Sequence, residues 1–122
     1  MPKQSERRRK LWKTVRLLRL FASPPDKRKV RVSVSSAVPD DCLGDSTQRT
    51  DHYLIRLNKA VVEASPDAVY LILAHEWAHT LVWDICPDDH GDLWGMAVAR
   101  CWRIIHHELT SGDIQYATLD RA

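Results

Sequence analysis

The segment from Ser65 to Asp84 constrains this chain most. Ser65-Pro66-Asp67 reads as a helix start: serine caps, proline suits the first turn, and aspartate complements the positive end of the helix dipole. The pattern predicts a helix over about 66–84, ending before Pro87. Inside it stands His75-Glu76-Trp77-Ala78-His79. Positions i and i+4 lie one turn apart on one helix face, so both imidazoles can aim a nitrogen at one metal ion. Glu76 projects beside that pair. There it can hold a metal-bound water and take its proton as the catalytic base. Zinc lowers such a water's pKa to about 7 and polarises a carbonyl, which is what peptide hydrolysis requires.

A catalytic zinc centre needs three protein ligands and an open position. The metzincin spacing would put glycine and histidine where Val82 and Ile85 stand, which excludes that pattern. His90 sits in a polar knot, Pro87 to Asp92, before the next predicted helix, and a short reversal returns it to the metal. Glu108, His106, His107 and Cys86 are alternative third ligands. Asp84, Asp88 and Asp89 are close enough in sequence to orient a ligand imidazole. Tyr53, Tyr70, Tyr116 and His106 are candidates for an oxyanion donor.

The rest of the chain builds the frame. Residues 5–22 carry Leu11, Val15 and Leu18 at helical spacing, and Pro24-Pro25 ends that run. Residues 29–34 alternate around Val30, Val32 and Val34 as a half-buried strand. Residues 35–51 read as a long loop or hairpin connection. Residues 53–58 form a second strand. If that strand is an edge, Tyr53, Ile55 and Leu57 mark where an extended substrate adds to the sheet. Residues 93–108 read as the last helix, and the tail from Ser111 as peripheral. Trp77, Trp83, Trp94 and Trp102 fall in amphipathic helices and read as core. The order helix, strand, strand, helix, helix is an α+β pattern with a small antiparallel sheet against the active-site helix.

His75-Glu76-Trp77-Ala78-His79 followed by His90-Gly91-Asp92-Leu93-Trp94 resembles the SprT-like (Spartan-type) zinc metallopeptidases, whose pattern is HExxH, a short spacer, then HGxxW or HGxxF opening the next helix. The likeness covers about residues 29–105. It implies a minimal zincin-like domain, with His75, His79 and His90 as Zn²⁺ ligands and Glu76 as the base. It also implies protein substrates, often ones bound to or crosslinked with DNA. The Cys-rich zinc ribbon of many members has no counterpart here, so any DNA contact falls to the chain's own basic residues.

Those residues are unevenly placed. Residues 1–31 hold twelve Lys/Arg against Glu6 and Asp26, a net of +10; residues 32–122 hold six against fourteen acids, a net of −8, which together restore the overall +2. The division predicts a basic N-terminal helix and arm, 1–28, on a metallopeptidase domain, 29–122, within one compact unit. Arg7, Arg8, Arg9, Lys10, Lys27, Arg28 and Lys29 are then the candidates for DNA or RNA contact. No apolar run is long enough for a membrane helix, and Lys13, Arg16 and Arg19 interrupt any secretory core. Three cysteines without a CxxC suit a reducing, cytoplasmic setting, and 44% hydrophobic residues exclude wholesale disorder. Two other functions share these features. One is a non-catalytic nucleic-acid or protein binding module with a structural zinc; the other is a metallohydrolase acting on small amides or esters.

Overall fold

The computed structural model describes residues 4–65, 67–85 and 90–110. The element order is α1 (Gln4–Phe21), β1 (Lys29–Ser35), β2 (Gly44–Gln48), β3 (His52–Asn58), α2 (Lys59–Ala64), α3 (Ala68–Leu81) and α4 (Asp92–Thr110). The α+β class predicted from the element order stands. Among the described residues, no helix is long and apolar enough to cross a membrane.

The sheet corrects two expectations. Its strand order is β1-β3-β2, with β1 parallel to β3 and β2 antiparallel to it. The sheet is therefore mixed rather than antiparallel. After β1 the chain passes the place β3 will occupy, forms β2, and turns back through a hairpin closed by Arg49 N donating to His52 O at 2.7 Å. The expected connection 35–51 thus contains a strand. Gly44-Asp45-Ser46-Thr47-Gln48 has no apolar alternation, so only pairing with β3 reveals it. In consequence β3 is the central strand. Tyr53, Ile55 and Leu57 face the core at 1% exposure or less, and both edges of their strand are paired. They cannot receive an extended substrate by strand addition.

A further expectation fails at Ser65. It ends α2, its N–H donating to Val61 O, and does not cap α3; Asp67 takes the N-cap position without a side-chain cap bond. The α2 turn arises because Asn58 closes β3 and caps in one step, its Oδ1 accepting from Ala60 N at 3.0 Å while its Nδ2 donates to Cys42 O at 2.8 Å. The preceding loop is thereby tied to the start of α2.

Helix α3 is the centre of the molecule. Val69, Tyr70, Ile72, Leu73, Ala74, Trp77, Ala78 and Leu81 are all buried on it, so it is apolar around most of its girth. A helix of that kind must be enclosed on several sides. The sheet and α4 both pack on it, and α1 contributes Leu11, Val15, Leu18 and Ala22 to the same core. The end of α1 is held by side chains from the other two long helices. Trp77 Nε1 on α3 donates to Ala22 O at 2.8 Å, and Arg100 on α4 donates to Phe21 O at 2.6 Å. These bonds satisfy carbonyls that a helix C-terminus leaves without intrahelical partners. Trp77 is fully buried, as expected; Trp83, Trp94 and Trp102 are half-buried against the core.

Candidate metal centre

His75 and His79 lie on one face of α3, and His90 lies just ahead of α4. The three imidazoles converge. Ring centroids stand 5.2 Å apart for His75–His79, 5.1 Å for His75–His90 and 5.0 Å for His79–His90. One ligand nitrogen from each lies within 4.8 Å of the others, and His79 Nε2 is 3.2 Å from His90 Nε2. These three residues could hold a metal ion.

The electrostatics fit that use. Partial burial, then the neighbouring imidazoles, pushes His79 down to about 4. Burial and His90 also lower His75. Both rings are therefore neutral near pH 7, with nitrogen lone pairs to offer. The donor set, three imidazoles, is one that suits zinc and other borderline divalent ions.

Glu76 sits beside the cluster in a different environment. Its residue exposure is 8%, and Oε2 lies 3.8 Å from His75 Nε2. Burial raises its pKa above the usual carboxylate range and Asp45 adds to that, while the Ser46 hydroxyl and His90 act in the opposite direction. A carboxylate shifted in this direction is a stronger base than a solvated one.

Two elements that the sequence reading did not assign to the site complete it. The Trp94 indole packs against all three histidines, with centroids 4.5 Å from His90, 4.9 Å from His75 and 5.7 Å from His79. Its Nε1 donates to His75 O at 3.4 Å. Trp94 therefore walls the cluster as well as packing on the core; its place four residues after His90 was the available signal. The second element is β2. Gly44 has no side chain where β2 meets α3: a Cβ there would stand 2.8 Å from Arg56 O, 3.0 Å from Ile72 Cγ2 and 3.7 Å from Glu76 Cγ. The bare backbone lets this edge strand lie against the helix that carries Glu76.

Other candidates are elsewhere. Glu108 is buried near the end of α4 and pairs with Lys13 of α1 at 3.3 Å. It is sixteen residues along the helix from Asp92, about 24 Å at the helical rise, and His106 and His107 share that distal end. Cys86, Asp88, Asp89 and Tyr116 lie outside the described residues. Asp84 is exposed in the turn after α3. The Tyr53 hydroxyl donates to Asp26 at 2.6 Å and accepts from Gln48 at 3.2 Å, so it is engaged in holding the sheet rather than serving as an oxyanion donor. Tyr70 borders a separate cavity of about 1010 Å³ between α1, β1 and α2, which none of the three histidines lines.

Among the basic candidates, Arg8, Arg9, Lys10, Lys27 and Lys29 are exposed and Arg7 is half-buried. Arg28 is half-buried. Its guanidinium is engaged with Asp26 and with Thr50 O, and it lies 5.8 Å from the Tyr53 ring centroid. Those contacts tie the β1 approach to the β2–β3 hairpin.

A small α+β domain with a histidine pair on its central helix and a third histidine ahead of the next helix defines a class of compact metal-binding domains. The family model of the SprT-like family matches residues 13–112, and the chain belongs to that family. No curated protein and no solved structure matches it.

Proposed function

We propose that this protein is a zinc-dependent endopeptidase. The observation that carries the reading is a buried carboxylate, Glu76, placed directly beside three converging imidazoles. A purely structural metal site has no use for such a base. His75, His79 and His90 hold the ion. Zinc bound there supplies Lewis acidity, which acidifies water and polarises a peptide carbonyl. Glu76 accepts the proton of the attacking water and can pass it to the leaving amine. The three histidines are partly exposed, which leaves room for a substrate. Strand β2, an edge strand packed against α3, is the better place for an extended substrate to pair, because β3 is already paired on both sides.

Elemental analysis tests the site. Wild type is expected to carry about one zinc per chain, and His90→Ala well below that, since a two-histidine remnant lacks the third ligand of a catalytic centre. Equal retention by both proteins would remove His90 from the site. No zinc in either, after metal is supplied, would end the reading.

The exposed cations of α1 extend the proposal to substrates associated with nucleic acid. Arg8, Arg9 and Lys10 stand exposed near the start of the helix, where a polyanion can reach them. Replacing all three with alanine is expected to weaken single-stranded DNA binding and to flatten its log–log salt dependence by about 2, from three lost phosphate contacts. An unchanged slope would show that this end of α1 does not touch nucleic acid.

A further inference from the structure

We propose that Leu71 and Leu43 form an apolar seat for the substrate residue just after the scissile bond, so that cleavage falls before large apolar residues. The proposal rests on the endopeptidase reading and names a specificity for that same site. Its first observation is the solvent face of α3. Ten of the fourteen residues of that helix are buried, and the four that are not are Ala68, Leu71, His75 and His79. Residues 71, 75 and 79 are spaced by four, so they form one row along the helix, with neighbouring Cβ atoms about 5–6 Å apart. Leu71 is 59% exposed, one turn before His75. A single exposed leucine is ordinary on a protein surface. This one shares its row with two residues of the metal centre.

Leu43 brings a second apolar side chain to the same turn. It is also 59% exposed and immediately precedes Gly44. A Cβ on Gly44 would stand 3.0 Å from Ile72 Cγ2, so the chain at residues 43–44 crosses α3 beside Leu71. The backbone there is fixed: the Leu43 carbonyl accepts from Asn58 N at 3.0 Å, and the Cys42 carbonyl accepts from Asn58 Nδ2 at 2.8 Å. Strand β2 sets the direction. It starts at Gly44, beside Ile72 and Glu76. Its last residue, Gln48, donates to Tyr53, whose ring lies 5.6 Å from that of Trp83, beyond the end of α3. Strand β2 therefore runs along α3 from the Leu71 turn toward the C-terminal end. An extended peptide on the free edge of β2 pairs best antiparallel to it. Such a peptide enters over the C-terminal end of α3, crosses the histidines and leaves over Leu71 and Leu43. The residue that follows the bond cleaved at the metal meets the two leucines, and removing a large apolar side chain from water against them is the gain in binding.

The experiment digests casein with the full-length, zinc-loaded protein and identifies the first residue of every new fragment by mass spectrometry. Leucine, isoleucine, methionine and phenylalanine are expected there at least about tenfold over aspartate and glutamate, after correction for the composition of casein; that is the low end of what an apolar pocket contact discriminates. Leu71→Lys, at an exposed position, is expected to reverse the ratio in favour of the acids. Leu43→Ala is expected to reduce the apolar preference without reversing it. A wild type without the preference, a preference at the last residue of the fragments instead, or an unchanged preference in either variant would overturn the proposal. A wild type that cleaves nothing removes the endopeptidase reading, and peptide binding then decides the seat separately. The Glu76→Gln protein is titrated with Ala-Ala-Ala-Leu-Ala-Ala and with Ala-Ala-Ala-Asp-Ala-Ala, both capped at each end. Binding of the leucine peptide tighter by about tenfold, and lost when Leu71→Lys is added, upholds the seat. Equal binding of the two peptides removes it.

Discussion

Glu76→Gln is expected to keep its metal and lose peptide hydrolysis by a factor of about 10²–10⁴, the range that a positioned general base supplies. Glutamine matches glutamate in size, so the packing of this nearly buried side chain survives. What glutamine cannot do is take a proton. The metal should remain because the three imidazoles, not the carboxylate, form the cluster. Zinc content and kcat measured on the same preparation separate the two roles. A variant that cleaves as fast as wild type would show that Glu76 is not the base. One that loses its zinc would make Glu76 part of the metal's support.

Trp77→Ala is expected to be the most destabilising single change in the frame. Removing a fully buried indole costs about 3–5 kcal/mol through lost burial and the cavity left behind. The carbonyl of Ala22 also loses its donor, which adds about 1–3 kcal/mol if it stays buried and unpaired. Domains of this size have only about 5–15 kcal/mol in all. Trp77→Phe keeps most of the bulk and loses the bond to Ala22, so it should cost clearly less. Urea unfolding of both variants, at matched metal content, measures the difference. If Trp77→Ala costs under about 1 kcal/mol, the joint between α3 and the end of α1 does not hold the fold as described.

Both predictions concern one helix, and that helix was legible in the sequence. The metal pair was readable because His75 and His79 need only the local period of a helix to share a face. The core positions Leu11, Val15 and Leu18 were readable for the same reason, and the structure buries all three. His90 was suggested by its place before the next helix, yet its approach to His79 depends on how α4 packs on α3.

Strand β2 shows where local reading stops. Its five residues are polar apart from Gly44, and nothing in their period marks a strand. They become one because β3 offers a free edge, and Gly44 lets that edge close on α3. Two features of β3 turn on this strand: β3 is central rather than an edge, and it runs parallel to β1 rather than antiparallel. Trp94 is a milder case. An indole at helical spacing reads as core whether or not it also walls a site, and only the packing of α4 shows that its ring meets three imidazoles.

The sequence alone therefore determined the elements whose signal is periodic: the long helices, strands β1 and β3, and the paired histidines with Glu76 between them. Tertiary structure alone decided what surrounds that carboxylate. The edge strand, its close approach at Gly44 and the Trp94 wall all come from segments distant in the chain. Their placement depends on pairing and packing between elements, and no local pattern of residues encodes it.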